Sequence, residues 1–299
     1  MSSNRERNDP KRPKDKNRPE KFSGRPRPPE PQRPRQAEKS PKPQTFQKSK
    51  ANDDGWLWGV HAVEAALKNV NRPGPLKLYL SEERARTLAP ALLNRSGLKV
   101  STLLMPDIAR MLPQGAVHQG IALHGPVLEG ETLESLLESG DGVILMLDQV
   151  TDPQNIGAIF RSAAAFGVQG LIMQDRHSPP LQGVLAKTAA GAADRVPFAR
   201  VTNLSRSLEL LSENGYVSIG LAGEGEFSLH ELLERQGWGR TLKKLVLVLG
   251  SEGEGLRRLV AEHCDHLARI PMPGGFESLN VSHAASISLY EALARPPVD

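Results

Sequence analysis

Three glycine-marked segments in the second half of the chain carry polar side chains that could form one site. "DQVTDPQNIGAIFRSA" holds Asn155 and Arg161, "LVLGSEGEGL" holds Glu252, and "IPMPGGFESLNVSHAAS" holds Ser278 and Asn280. Together they supply a guanidinium, a carboxylate, a hydroxyl and two amides. Such groups can orient a polar ligand, accept a proton and stabilise developing negative charge. They do not form a metal-ligand set.

Each segment taken alone also has a purely structural interpretation. Asn155 stands where it would cap a helix, and Arg161 would then be a surface ion-pair partner. Similarly, Ser278 or Asn280 would cap a helix that runs to Leu293 after a glycine turn. The functional interpretation depends on whether the fold brings the three segments together.

The pattern from residue 143 onward predicts that it does. Short apolar runs alternate with helical stretches at 156–167, 203–213 and 256–264; the runs are "VILMLDQV", "GLIMQ", "RVPFARV", "YVSIGLA", "KLVLVLG" and "HLARIPM". Alternation of this kind indicates βαβ units and an α/β fold with a mostly parallel, covered sheet. Ligands of such sheets bind beyond the carboxyl ends of the strands, where all three polar segments fall.

The rest of the chain divides into three further parts. Residues 54–126 predict a small α/β unit, with strands at 76–81, 98–104 and 119–125 and a helix around 82–95. The acidic segment 127–142 is predicted to be a linker with a short helix, and it leads into the domain at 143–299. Residues 1–53 are predicted to form a disordered basic arm.

The charge of the arm differs from that of the remaining chain. Residues 1–50 contain 16 Lys and Arg against 6 Asp and Glu, whereas the other 249 residues contain 22 against 28. With ten prolines and two aromatic residues, the arm cannot bury enough apolar surface to become ordered. A basic, proline-rich arm is typical of a nucleic-acid contact, although it can also serve only as a solubilising tail.

Several other classes of protein are disfavoured. The single cysteine, Cys264, excludes a disulfide framework and suits a reducing compartment. The sequence contains no run of 18 apolar residues, so no membrane span is predicted. These two observations favour a cytoplasmic protein. The loop at 250–255 matches neither a dinucleotide fingerprint nor a P-loop. "EHCDH" at 262–266 has no zinc spacing, so no metal is expected there.

The three polar segments, in their order and spacing, resemble the motifs of SpoU-type (TrmH-like) RNA 2′-O-methyltransferases. This resemblance covers residues 143–295. "GVHAVEAAL" at 59–67 and "AVHQGIAL" at 116–123 resemble the small substrate-binding domain found before that catalytic domain. With "VTNLSRSL" at 201–208, the chain is most similar to members that methylate a guanosine ribose of large-subunit (23S) ribosomal RNA.

The resemblance implies a SPOUT-class fold whose C-terminal part forms a trefoil knot, an exception to the rule against threaded chains. It also implies S-adenosyl-L-methionine as cofactor, RNA as substrate, and a homodimer through the knotted domain with each site bordered by the partner chain. Carried over by position, the cofactor-binding residues are Leu249, Gly250, Ser251, Gly253, Ile270, Met272 and Leu279.

The implied reaction is in-line methyl transfer to a ribose 2′-oxygen. The family proposal that the arginine matching Arg161 activates the hydroxyl conflicts with a guanidinium pKa above about 12. We therefore expect Arg161, helped by Asn155, to hold a phosphate and stabilise the developing alkoxide. Glu252, water or the phosphate would remove the proton, and Ser278 and Asn280 would orient the cofactor or the ribose.

Two alternative functions remain open at this point. One is a transfer-RNA 2′-O-methyltransferase of the same family, and the other is a non-catalytic RNA-binding or ribosome-assembly factor. The second alternative predicts loss of Arg161, Glu252 or Asn280, all of which are present. Because the chain after the arm is net acidic, a local basic patch or the arm must attract RNA. The candidates for that patch are Lys187, Arg195, Arg200 and Arg206.

Overall fold

A computed structural model describes residues 55–238 and 243–294. The predicted basic arm at 1–53 lies outside the described residues. Two sheets are present, one of four strands near the start of the described chain and one of seven strands after it. No helix in the described part of the chain is long and apolar enough to cross a membrane.

The four-stranded sheet, called the small sheet, has the order β1-β4-β2-β3. Its strands are β1 (Trp56–Trp58), β2 (Leu76–Leu80), β3 (Leu98–Thr102) and β4 (Ile121–His124). Because side chains alternate along a strand, Leu76, Leu78 and Leu80 of β2 all point to one face. There they pack against α1 (Val60–Lys68), which buries Val63 and Ala66.

The predicted helix at 82–95 is interrupted. α2 (Glu82–Thr87) ends before Leu88, and a 3-10 helix (Pro90–Asn94) follows. The proline explains the break, because it disfavours helical geometry in the preceding residue and lacks a backbone N–H. α3 (Met105–Met111), which was not predicted, lies after β3 and buries Ile108.

The seven-stranded sheet, called the large sheet, has the order β7-β6-β5-β10-β8-β11-β9, and each neighbouring pair is parallel. Its strands are β5 (Val143–Leu147), β6 (Gly170–Gln174), β7 (Phe198–Val201), β8 (Val217–Leu221), β9 (Phe227–Ser228), β10 (Leu245–Leu249) and β11 (His266–Arg269). Every residue of β5, β6 and β10 is buried. The prediction of an α/β fold with a mostly parallel sheet is confirmed.

Helices cover both faces of the large sheet. One layer contains α5 (Pro153–Phe166), α6 (Gly183–Ala189), α8 (Leu229–Arg235) and α10 (Val281–Leu289). The opposite layer contains α4 (Leu133–Glu138), α7 (Leu204–Glu213) and α9 (Arg258–Glu262). A π-helical turn (Tyr290–Ala294) extends the last helix close to the predicted Leu293. The sequence did not predict α6 or α8.

Polar contacts join the small-sheet region to the layer that contains α6. Arg72 forms an ion pair with Asp194 at 2.7 Å, and both side chains are almost completely buried. Gln182 Oε1 accepts a hydrogen bond of 2.6 Å from the Gly55 backbone N–H, and the Lys187 ammonium donates one of 3.1 Å to Gln119 Oε1. These bonds fix the small sheet against the helix layer that contains α6.

Candidate active site

A cavity of about 340 Å³ lies at the carboxyl ends of three adjacent central strands, β10, β8 and β11. Three chain segments enclose it, namely residues 221–224, 249–256 and 270–284. Its volume falls within the range of about 300–1,000 Å³ that is common for small-molecule sites. The position agrees with the rule that parallel sheets bind ligands beyond their carboxyl ends.

The structure brings all of the predicted cofactor residues to this cavity. Its lining includes Leu249, Gly250, Ser251, Gly253, Ile270, Met272 and Leu279. Glu252 and Ser278, two of the predicted catalytic residues, also line it. The second and third polar segments therefore line one pocket together.

A tight hairpin shapes the loop after β10. Ser251 and Gly255 exchange backbone hydrogen bonds of 3.1 and 3.0 Å. A Cβ atom at Gly250 would collide with the backbone of Gly255, and Gly253 has a φ of 90°. Glycine is needed at both positions because of close approach at the first and left-handed geometry at the second.

A buried carboxylate holds the far end of this loop. Asp148, directly after β5, is fully buried and accepts hydrogen bonds from the Arg257 backbone N–H at 2.8 Å and from its Nε at 2.7 Å. An ionised hydrogen-bond pair of this geometry is stronger than a neutral one. Neither Asp148 nor Arg257 was predicted from the sequence, although an aspartate at the end of an apolar strand is a signal that could have indicated the first of them.

Three predicted catalytic side chains form a hydrogen-bonded cluster at the cavity, called the Asn–Glu–Asn cluster (Asn155, Glu252, Asn280). Glu252 Oε1 accepts from Asn155 Nδ2 at 2.9 Å and from Asn280 Nδ2 at 2.5 Å. Asn280 Nδ2 also donates to Asn155 Oδ1 at 2.9 Å. The Val281 backbone N–H donates to Glu252 Oε1 at 3.3 Å, so the carboxylate also lies at the positive end of α10.

The capping predictions have different outcomes. Asn280 caps α10, with its Oδ1 accepting from the Ser282 backbone N–H at 2.9 Å, as one interpretation expected. Asn155 is not a cap; Asp152 caps α5 instead by accepting from Gln154 N at 2.7 Å. The helix begins earlier because Pro153 is well suited to the first helical position. The Asn155 side chain is thereby left free to bind Glu252.

Among the predicted catalytic residues, Arg161 neither lines the cavity nor hydrogen-bonds to a described residue that lines it. It is exposed on α5, and it makes no hydrogen bond or ion pair with the described residues. Six residues at 100° each rotate its side chain by about 240° from Asn155 around the helix axis. The neighbouring Ser162 instead shares a 2.8 Å hydrogen bond with Ser286, which joins α5 to α10.

The cavity is acidic. Among the described residues that line it are four glutamates and no Lys, Arg or His. The glutamates are Glu224, Glu252, Glu254 and Glu277. The electrostatic field of these carboxylates stabilises a cationic ligand, whereas it would repel a phosphate.

The cavity also offers apolar surface for an aromatic base, supplied by side chains such as Leu256 and Val281. The residues present therefore fit S-adenosylmethionine, which joins a sulfonium cation to an adenosine.

One wall of this cavity was not predicted from the sequence. Leu221, Ala222, Gly223 and Glu224 follow β8 and line the pocket beside the predicted loops. The available signal was "LAGEGE", a fourth glycine-marked and acidic strand end. It went unused because only the strand order shows that β8 lies between β10 and β11.

The histidines and cysteine of "EHCDH" bind separate partners. His263 contacts the Leu259 carbonyl at 2.7 Å and Glu209 at 3.2 Å, whereas His266 shares a 2.9 Å hydrogen bond with Gln236. Burial raises the pKa of the Cys264 thiol to about 12, helped by nearby aspartates. No group of three or more His, Cys, Asp or Glu in the described ranges could hold a metal ion.

Fold and site together define a parallel α/β methyltransferase. Residues 142–290 match the SpoU rRNA methylase family, and residues 56–125 match the RNA 2′-O ribose methyltransferase substrate-binding family. The chain belongs to the SpoU rRNA methylase family. The predicted enzyme class, an S-adenosylmethionine-dependent RNA 2′-O-methyltransferase, is confirmed.

Several relatives are similar over nearly their whole length. The chain is 39% identical to the 23S rRNA (guanosine-2′-O-)-methyltransferase RlmB of Xanthomonas campestris pv. campestris over 257 residues, covering 80% of this chain and 95% of the relative. It is 41% identical to RlmB of Pseudomonas aeruginosa, covering 81% and 98%, and 38% identical to RlmB of Escherichia coli, covering 79% and 97%.

Solved structures share the fold. The SpoU methyltransferase AviRb from Streptomyces viridochromogenes matches with a TM-score of 0.65 at 22% identity, covering 81% of this chain and 89% of that chain. A putative RNA methyltransferase of the TrmH family from Porphyromonas gingivalis matches with a TM-score of 0.63 at 23% identity, covering 81% and 90%.

Proposed function

We propose that this enzyme methylates the 2′-oxygen of a guanosine ribose in 23S ribosomal RNA. The observation that carries the proposal is the Asn–Glu–Asn cluster, which joins the first polar segment to the cofactor-type cavity formed by the other two. Relatives that are 38–41% identical carry the name of this activity and are matched over 95–98% of their length.

The cavity residues would hold S-adenosylmethionine through the three strand-end segments. Leu249, Ile270 and Leu279 supply apolar surface, and the loop that begins at Gly250 supplies backbone donors and acceptors. When bound, the cofactor supplies an electrophilic methyl group on a positively charged sulfur. The glutamates of the lining favour that charge. Ser278, exposed at the cavity, would orient the cofactor or the ribose.

Glu252 is the group we propose as acceptor of the ribose 2′-hydroxyl proton. Its Oε1 is occupied by Asn155, Asn280 and the backbone N–H of Val281. Oε2 has no hydrogen-bond partner among the described residues, so it is available to a substrate hydroxyl. The two amides thus fix the direction of the free oxygen, and fixed geometry is what general base catalysis requires.

Arg161 would hold an RNA phosphate and stabilise the developing alkoxide, as expected from the sequence. Because its side chain does not line the cavity of its own chain, this role is best served in a homodimer in which each site is bordered by the partner. The exposed apolar side chains that continue from α10 suit such an interface; they are Ile287, Tyr290 and Leu293. The dimer would pack the methyltransferase domains together.

The remaining family features are proposed on the same basis. The trefoil knot is supported by the strand order, in which β11 lies beyond β8 while the following chain returns to pack α10 against α5 and β10. A substrate-binding domain at 54–126, a linker at 127–142 and a methyltransferase domain at 143–299 agree with the two matched families. A cytoplasmic location follows from the ribosomal RNA substrate.

Methylation of unmodified RNA tests the proposed function. Purified protein would be incubated with tritium-labelled S-adenosylmethionine and either 23S ribosomal RNA or bulk transfer RNA made without modifications. We expect label only in 23S RNA, and a reverse-transcription stop at low nucleotide concentration that maps to one guanosine ribose. Label confined to transfer RNA would contradict the target, and no label in either RNA would favour a non-catalytic factor. Glu252→Gln serves as the inactive control.

A further inference from the structure

Outside the predicted basic arm, the region of the small sheet carries a net positive charge and the rest of the chain a net negative one. Residues 55–126 contain eight Lys and Arg against four Asp and Glu, whereas residues 127–299 contain 14 against 22. Two residues of the predicted basic patch are engaged within the fold: Arg200 donates to two backbone carbonyls, and Lys187 donates to Gln119. The small sheet is therefore the better-placed surface for a polyanion.

The strand register places aromatic and basic side chains on one face of this sheet. Residues paired across neighbouring strands point to the same side, so each set of partners forms a row. The first row runs across all four strands as Trp56, His124, Lys77 and Lys99. The second row, two residues further along, is Trp58, Ala122, Tyr79 and Ser101. The opposite face carries the leucines that pack against α1.

The rings on this face form a contiguous group. Trp56 lies 4.8 Å from the His124 ring and 5.7 Å from the Tyr79 ring, measured between centroids. All three side chains are half-buried. α3 covers the Trp58 end of the second row through Ile108 and Leu112, and Trp58 is almost fully buried there. The first row therefore has the rings of Trp56 and His124 at one end and the exposed ammonium groups of Lys77 and Lys99 at the other.

The two lysines of the first row are free for a ligand. Lys77 and Lys99 are exposed, and they form no ion pair or hydrogen bond with the described residues. Lys68 on α1 differs, because it has Glu64 within 3.7 Å. Two like charges opposite each other on neighbouring strands are unfavourable in the absence of a counterion. A bound anion would remove that cost.

We propose that the aromatic–lysine face (Trp56, Tyr79, His124, Lys77, Lys99) binds single-stranded RNA by stacking bases on its rings and holding phosphates with its lysines. The inference rests on the proposed function for its substrate class, and it assigns the contact residues. Aromatic side chains stack on any base, and four-stranded RNA-binding sheets commonly stack two or three bases in this way. The row spans three strand spacings of about 4.8 Å, which is enough for neighbouring nucleotides.

Binding of a 12-nucleotide oligouridine to the full chain tests the stacking half of the proposal. We expect Trp56→Leu to weaken binding about tenfold to a hundredfold, since one base–aromatic stack contributes that much. Trp56→Phe should restore most of the affinity. Melting temperature and cofactor affinity are measured alongside, because Trp56 also packs beside α3. Equal RNA affinity in Trp56→Leu and the unsubstituted protein would overturn the stacking contact.

Salt dependence tests the phosphate half with side chains that carry no packing role. The Lys77→Ala, Lys99→Ala double variant should lower the log–log salt slope by about 1.4, or about 0.7 per phosphate contact on a single strand. Lys68→Ala is the matched control and should leave the slope unchanged. A double variant with the same slope as the control would overturn the proposal even if Trp56→Leu failed to fold.

Photocrosslinking separates this face from the basic arm and from the proposed activity. A 4-thiouridine oligonucleotide irradiated with the full chain should crosslink to peptides that contain Trp56, Tyr79 or His124, and crosslinks confined to residues 1–50 would overturn the proposal. If the crosslinks appear but 23S RNA is not methylated, the face stands and the proposed function fails. If methylation proceeds with an unchanged KM for RNA in the lysine double variant, the face fails and the function stands.

Discussion

At the scale of single residues, the candidate site centres on the Glu252 carboxylate, whose Oε1 is occupied and whose Oε2 has no hydrogen-bond partner among the described residues. Asn155 and Asn280 both donate to Glu252 Oε1, and they are linked to each other as well. Asn280 has a second task, since its Oδ1 also caps α10. A side chain with both tasks explains why the capping and the functional interpretations of its sequence motif are compatible.

Substitution of Asn280 separates its two tasks. Asn280→Ala should destabilise the protein by about 1 kcal/mol through loss of the cap and reduce turnover about 100-fold through misplacement of Glu252. Asn280→Ser keeps a capping oxygen but has no amide to donate, so it should melt near the unsubstituted protein and still lose turnover. Thermal denaturation and methyl transfer to 23S RNA measure the two effects. Full activity in Asn280→Ser would show that the amide is not needed.

Arg161 should affect turnover without affecting cofactor binding. Because it does not line the cavity, Arg161→Ala is expected to leave the dissociation constant of S-adenosylmethionine within about twofold, while turnover falls by about 10²–10³-fold with the lost charge stabilisation. Calorimetry and single-turnover methylation provide the measurements. Arg161→Lys, which keeps the charge, should recover part of the rate. An equal loss of cofactor affinity in the alanine variant would contradict the assigned role.

At the scale of elements, the loop after β10 depends on a contact made outside the cavity. Its glycines let it turn tightly but also let it move when it is not restrained. Asp148, at the end of the neighbouring β5, provides the restraint through two hydrogen bonds to Arg257. The strand pair thus positions the loop that carries Glu252.

Removal of the Arg257 side chain should loosen this loop. Arg257→Ala leaves the buried Asp148 carboxylate with only a backbone donor, which we expect to cost about 1–3 kcal/mol of unfolding free energy. Cofactor affinity should fall about tenfold, equivalent to about 1.4 kcal/mol of loop ordering. Arg258→Ala is the matched control: its arginine is exposed and pairs with Glu262 one turn away, so a change within about 0.5 kcal/mol is expected. Unchanged cofactor affinity in Arg257→Ala would contradict the anchoring role.

At the scale of the whole molecule, a buried ion pair fixes the small sheet to the large-sheet layer. Arg72 follows α1 and Asp194 follows α6, and their side chains are 1% and 3% exposed. Asn69 adds a 3.2 Å hydrogen bond to the same carboxylate. The aromatic–lysine face is therefore held in a fixed relation to the active site, which would set the distance between an RNA contact and the methylated ribose.

Two variants of the ion pair test this connection. Asp194→Ala should destabilise the protein by about 3–5 kcal/mol, because it leaves the Arg72 guanidinium buried without its counterion. The apolar pair Arg72→Met, Asp194→Leu should recover most of that loss, since an apolar replacement avoids the desolvation of both charges. Urea denaturation measures the unfolding free energies. A cost below about 1 kcal/mol for Asp194→Ala would show that the pair does not fix the two regions.

The local sequence pattern was sufficient to predict the buried strands of the large sheet. The apolar runs became buried strands because a sheet covered on both faces buries every side chain of a central strand, so five successive apolar residues fit there. The pattern failed for α6, whose "GVLAKTA" is short and begins with glycine and whose stability comes from packing against α5. It also failed at Asn155, where the neighbouring Asp152 and Pro153 made a better helix start.

The sequence by itself predicted the kind of chemistry and indicated that the candidate residues lie at strand ends, because residue types and their spacing are local properties. Tertiary structure decided which groups meet. Only the strand order puts residues 221–224 beside the predicted loops, and only the crossing of α5 and α10 lets Asn155 and Asn280 share Glu252. Arg161 does not line the cavity of its own chain, because the geometry of α5 points its side chain away from the side that carries Asn155. Contacts between residues distant in the chain depend on the packing of whole elements, which no local pattern encodes.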